Sequence, residues 1–320
     1  MPLRLFEAPG RKRGAVIGEA SAIGAAVCWA VGSHLFGRIG RDVPPGAMNL
    51  GKCASALVMF AAAGLVMTGR LVPSPPAATL PWLVGSGVVG LAIGDSAYFG
   101  AMALIGVRRA LLLLSTAPVF AAVGGALFLG EALGRREIAA IAAVLLGVGV
   151  VVNEQDGSAK SPAAGGLASS PRVSLAGVLY GGVAGLSQAV GSLMSRFAMT
   201  SGVNPLDTSL VRLTAGVGAM ILVAGLTGRI GGWGRTLGRP RLLAAIGGLA
   251  FVGTFCGLWL SQIAIGRASS TAVASTLLAT SPIFALPLGR LLNAERVTLR
   301  ALGGTALAVA GLVGLTLGKS

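Results

Sequence analysis

Thr116-Ala117-Pro118-Val119-Phe120, followed by Glu131 and Gly147, returns as Thr280-Ser281-Pro282-Ile283-Phe284, followed by Glu295 and Gly311. The offset in numbering is the same for every matched pair, with no gap. Two similar halves built from apolar helices are the sequence pattern of secondary carriers, whose binding sites lie where the repeats meet. The pattern suggests a class of mechanism and leaves the solute open.

Around this repeat the chain is almost all membrane span. It has 320 residues, of which 54% are hydrophobic and 11% charged, and a mean hydropathy of +0.83. A soluble domain carries about 25% charged residues. Ten apolar runs near helix-spanning length are read at about 15–36, 46–68, 80–104, 108–130, 137–153, 174–199, 206–227, 242–265, 269–291 and 299–317. No ten-residue segments of strict alternation occur, which argues against a β-barrel. The stretch 154–173 is rich in Ser, Gly, Ala and Pro and reads as a flexible linker between a first half, 1–153, and a second, 174–320.

The repeat extends across that linker. Ala30-Val31-Gly32-Ser33 matches Ala189-Val190-Gly191-Ser192, Pro45 matches Pro205, and Lys52 matches Arg212. Five helices is an odd number, so the second half must enter the membrane from the opposite side. The expected fold is therefore all-α and integral to the membrane, with ten transmembrane helices as two inverted five-helix repeats. Glycines at four-residue spacing, Gly177, Gly181 and Gly185, predict close helix packing.

The net charge of +15 does not point to nucleic acid, because the basic residues sit singly or in small groups at span ends. Arg11-Lys12-Arg13, Arg108-Arg109 and Arg135-Arg136 are such groups. The first helix usually dominates orientation, so both termini are expected in the cytoplasm. Arg229, Arg235, Arg239 and Arg241 oppose that assignment. Cys28, Cys53 and Cys256 lie within spans without metal-ligand spacing. The first apolar run is too long for a cleavable signal peptide and reads as a retained helix.

Gly94-Asp95-Ser96 through Tyr98, Arg108-Arg109-Ala110, the Thr/Ser-x-Pro-x-Phe element and Gly130-Glu131 resemble the EamA family of the drug/metabolite transporter superfamily. Asn293-Ala294-Glu295 departs from the family's Gly-Glu pair but keeps the acid. The resemblance covers nearly the whole chain. It implies an inner-membrane carrier of small metabolites, often an exporter, without selecting a substrate.

An ionisable group inside a span costs about 2.5–3.5 kcal/mol on insertion scales, so each one needs a reason. Asp95 lies deep in the third run, and at ~1.5 Å per residue Lys52 in the second falls at similar depth. His34 lies near the same level. Two readings stand side by side: a polar cavity patch with Asp95 as substrate or proton site, or a structural Asp95–Lys52 pair. Arg212 has no acid in the equivalent region, around Thr254-Phe255; it either snorkels to the interface or holds an anionic substrate.

Pro118 and Pro282 are expected to kink their helices and free the carbonyls of Leu114 and Leu278, beside Ser115, Thr116, Thr280 and Ser281. Gln188, Gln262, Trp29, Tyr98 and Trp259 are further candidates for the same cavity. Glu131 and Glu295 are expected to fix helix ends by pairing with nearby arginines.

The leading function is alternating-access transport of a small molecule, proton-coupled through Asp95. A lipid flippase or a non-transporting scaffold is the alternative. An enzyme is disfavoured, because one histidine, isolated cysteines and unclustered carboxylates make no nucleophile–base set. No metal and no cofactor are expected. The expected partners are a small-molecule substrate and the lipid bilayer, with the protein able to act as a monomer.

Overall fold

Prolines open several helices of the chain, where a missing N–H costs nothing and φ is already set. In the computed structural model, described over residues 9–40, 43–120, 123, 134–152, 174–267, 274, 277–293 and 298–317, all regular structure is helical. The elements are α1 (Pro9–Ile39), α2 (Pro45–Thr68), α3 (Ala77–Ile105), α4 (Val107–Leu114), α5 (Arg135–Val152), α6 (Leu175–Thr200), α7 (Pro205–Leu226), α8 (Ile230–Leu237), α9 (Pro240–Arg267), α10 (Ser281–Asn293) and α11 (Leu299–Leu317). Pro45, Pro205 and Pro240 each stand at the first turn of their helix. Asn204 caps α7, its Oδ1 accepting from Asp207 N at 2.8 Å.

Five helices among the described residues are long and apolar enough to cross a bilayer: Val16–Ile39 of α1, then α2, α3, α7 and α9. The 26-residue α6 is as long, but Gly, Ser and Gln dilute its apolar character. α8 is a short helix where only a basic connection was expected. Its Trp233 and Leu237 turn onto Gly46 and Gly51 of α2, while Arg229, Arg235, Arg239 and Arg241 are exposed around it.

Helices α3 and α9 each contain a π-helical stretch, Gly87–Gly94 and Phe251–Cys256. Such widened turns are rare and often mark functional sites. The two stretches begin at the same offset as the matched motifs of the repeat. Counting along the chain from the first-helix match puts the counterpart of Asp95 near Thr254-Phe255. The glycine contacts of the two helices, Gly90 on Gly191 and Gly253 on Gly32, carry it instead to Leu258.

Contacts exchange when the halves are exchanged. α1 packs on α9 as α6 packs on α3; α1 packs on α10 as α6 packs on α4; α2 meets α7, and α5 meets α11. The reciprocity holds at single residues. A Cβ placed on Gly311 would lie 2.7 Å from both Ala140 O and Val144 N. One placed on Gly147 would meet Gly304 O and lie 2.5 Å from Ala308 N. Every residue in the second set stands at the repeat offset from its counterpart in the first. Likewise Gly32 lies against Gly253 as Gly191 lies against Gly90. A two-fold relation between the halves produces such self-complementary contacts. Close backbone approach of this kind drives association where lipid offers little hydrophobic force.

Several expectations change in the structure. The breaks near Pro118 and Pro282 fall earlier, at Ser115–Thr116 and Ala279–Thr280, so each proline sits at the start of the resumed helix. The mid-helix proline is Pro287, inside α10. Arg108 and Arg109, read as membrane-flanking, are buried in the first turn of α4. The cause is the single-residue link before them, which leaves no loop to carry them into water. Glu131, Glu295 and the stretch 154–173 lie outside the described residues.

That link is Gly106, at φ 84° and ψ 164°, a conformation open essentially to glycine. Gly106→Ala is expected to destabilise the protein by about 1–3 kcal/mol. The unfolding temperature in detergent checks this; an unchanged value would mean that the reversal between α3 and α4 does not need the positive φ.

Candidate functional site

Two polar side chains of α2 face the second half of α3. Asn49, fully buried, donates from Nδ2 to the Leu91 carbonyl at 2.8 Å and to Ser96 Oγ at 2.9 Å. It thereby pins the π stretch of α3 and the turn after it. Asp95 is the first residue beyond that stretch, and its Oδ2 accepts from Lys52 Nζ in an ion pair. The Lys52 ammonium also lies over the Phe99 ring, 5.4 Å from its centre, where the ring's π face attracts a cation.

Opposite, α7 brings in Arg212, 3% exposed. Glycine makes this possible: a Cβ on Gly90 would come within 3.3 Å of Arg212 Nη2, and one on Gly87 would lie 2.9 Å from Arg212 Cα. Among the described residues Arg212 has no ion-pair partner, and its Nε has no hydrogen-bond partner. Gln262 of α9 is fully buried; its Oε1 accepts from Ser195 Oγ at 2.9 Å, and its Nε2 has no partner among the described residues. From α3, the Tyr98 hydroxyl donates to Ser33 Oγ at 2.9 Å, which donates to the Trp29 carbonyl at 2.6 Å.

Lys52, Asp95, Phe99, Arg212, Gln262, Tyr98, Ser33 and Trp29 line one cavity of about 100 Å³. A single water needs roughly 10–15 Å³ by this measure, so the space holds several waters or a small solute. Its walls come in repeat-related pairs: Trp29 and Gln188, Ser33 and Ser192, Lys52 and Arg212, Tyr98 and Ser261, Leu114 and Leu278. The cavity therefore straddles the relation between the halves. Its charges are unequal, two cations against one carboxylate.

Of the residues singled out from sequence, Asp95, Lys52, Arg212, Tyr98, Gln188, Gln262 and Trp29 line this cavity. His34, Ser115, Thr116, Trp259, Thr280 and Ser281 do not. The hydroxyls of Ser115, Thr116, Thr280 and Ser281 turn back onto carbonyls of their own chain segment, at Leu111, Leu113, Leu277 and Leu278. The Leu278 carbonyl is thus occupied by Ser281, not left free beside it. Trp259 packs against Phe60 and Phe255. His34 is fully buried, with Nδ1 3.0 Å from the Ala30 carbonyl of its own helix.

Asn49, Ser261 and Thr254 belong to the site without standing out in the sequence motifs. Asn49 carries a signal all the same, being an amide inside an apolar run, one turn before Lys52. Ser33 and Ser192 carry another, since they end one of the matched tetrapeptides.

A family model described as "EamA-like transporter family" matches residues 16–153 and 175–317. The chain belongs to the EamA-like transporter family. The two matched segments are the two halves of the repeat, and the cavity of this EamA-like chain lies between them. The family is one of membrane transporters of the drug/metabolite type, which agrees with the apolar helices. Among solved structures, one entitled "Crystal structure of protein" is similar in fold, with a TM-score of 0.61 at 20% identity, covering 96% of this chain and 97% of that one. No curated protein matches the sequence.

Proposed function

We propose that the protein is a secondary transporter that moves a small metabolite across the inner membrane, outward, by alternating access. Ten transmembrane helices in two oppositely inserted groups of five form the path. The observation that carries this reading is the polar cavity lined by repeat-related pairs. Halves related by a two-fold axis in the membrane plane have two equivalent ways to tilt, one opening the cavity to each side. The odd number of helices per half requires that axis. Asp95 and Lys52 serve as a charge-balanced gatepost within the cavity. Protonation of Asp95 would release Lys52, coupling the cycle to protons. The complete pathway lies within one chain, so a monomer suffices.

Purified protein in proteoliposomes is expected to catalyse counterflow of its solute, found by comparing metabolites of cells with and without the protein. A proton gradient should accelerate that flux. Empty-vesicle rates for every solute that accumulates in the deletion strain would sink the proposal. Alkaline phosphatase fused to the C-terminus should be inactive if both termini are cytoplasmic.

A further inference from the structure

Lys52 and Arg212 hold equivalent places in α2 and α7, yet their surroundings differ in one respect. Lys52 has its acid, Asp95, one helix away. The same place in the second repeat is Leu258, an apolar residue of the cavity wall. No acid stands there to answer Arg212. The arginine is left in the cavity wall, 3% exposed, with no carboxylate within ion-pair distance among the described residues and with Nε unpartnered. Gln262, fully buried in the same wall, has an Nε2 that donates to nothing described. Both unanswered groups are donors only. A buried donor without an acceptor is costly, and a charged one more so.

We propose that the cavity binds small organic carboxylates, with the carboxylate held by Arg212 and Gln262 in the role that Asp95 plays for Lys52. The proposal rests on the transport reading above and names its substrate class. The guanidinium presents planar paired N–H groups that match a carboxylate's two oxygens. A single negative charge balances the two cations and one carboxylate of the walls; a dianion exceeds it. Trp29, Phe36, Phe99 and Leu111 add an apolar surface to the walls, which suits a short hydrocarbon or aromatic body.

The test uses three probes of one shape and different charge: phenylacetate, phenylacetamide and phenethylamine. Each is titrated against the purified full chain in lipid nanodiscs, with thermal unfolding as the readout. Phenylacetate should raise the unfolding temperature in a saturable way, and the amide and amine should not. Phenyl phosphate, a dianion, should bind at least tenfold more weakly than phenylacetate. Arg212→Gln should weaken the phenylacetate response at least tenfold. Gln262→Glu places a carboxylate in the cavity and should do the same, so the test stands if either variant fails to fold. An amine that stabilises as well as the acid overturns the proposal. So does an acid response that survives in both variants, or no response to any probe. Counterflow separates the two claims. Flux of cations or neutral solutes without anions defeats the carboxylate assignment and leaves transport standing. A charge-selective response without flux of any solute supports the assignment and defeats transport.

Discussion

Asp95→Asn is expected to lower solute flux at least tenfold and to destabilise the protein by about 3–5 kcal/mol, the cost of leaving one partner of a buried ion pair unanswered. Lys52 is the group left behind: its side chain is 9% exposed, and the amide that replaces Asp95 carries no charge to offset it. The Phe99 ring remains, but a cation over an aromatic face gains only ~0.5–2 kcal/mol. The double variant Lys52→Met with Asp95→Leu separates structure from mechanism. Apolar replacement of a buried pair is often neutral or stabilising, so its unfolding temperature should return towards that of the parent. Its flux should stay lost, and the proton gradient should no longer accelerate what remains. A double variant that recovers both stability and transport would make the pair a structural brace and nothing more.

Gly147→Val is the second large effect. A Cβ there would lie 2.5 Å from Ala308 N and 2.9 Å from Ala308 Cα, so the obstacle is backbone, which cannot rotate away. Forcing α5 and α11 apart should cost at least the ~1–3 kcal/mol typical of overpacking. By the reciprocity of the halves, Gly311→Val should cost a similar amount, since its obstacles are Ala140 O and Val144 N at 2.7 Å. Gly303→Val is the control on the same pair of helices, because nothing lies within 4 Å of its added carbon. The measurement is the yield of monodisperse protein and its unfolding temperature. Equal behaviour of Gly147→Val and Gly303→Val would mean that these backbones do not approach so closely in the membrane.

Some of the site can be read from the chain because it depends only on distance along a helix. Lys52 and Asp95 lie on adjacent apolar runs that cross in opposite directions, and counting residues brings them to one depth. Trp29 and Gln188 are likewise traceable, since each stands shortly before one member of the matched Gly32 and Gly191 pair, by the same number of positions. The hydroxyls near the proline breaks cannot be placed that way. Ser115 and Thr280 face either a cavity or their own helix according to a rotation about one bond, and in lipid a hydroxyl takes the nearest carbonyl. Arg108 and Arg109 escape a reading by composition for another reason. Their burial follows from the length of one link, and a loop of one residue looks no different in composition from a longer one.

What the amino-acid order settled unaided was the solvent and the duplication: apolar runs of helical length demand a bilayer, and matched motifs that recur in the same order are a covalent fact. Three-dimensional packing alone decided which side of each helix meets which neighbour. A π stretch widens a turn and rotates everything after it. The contacts of α3 and α9 place Asp95's counterpart at Leu258, in the cavity wall, and not in the neighbourhood of Thr254. Hydropathy is blind to that rotation, because it counts residues and not the angle through which the backbone has turned.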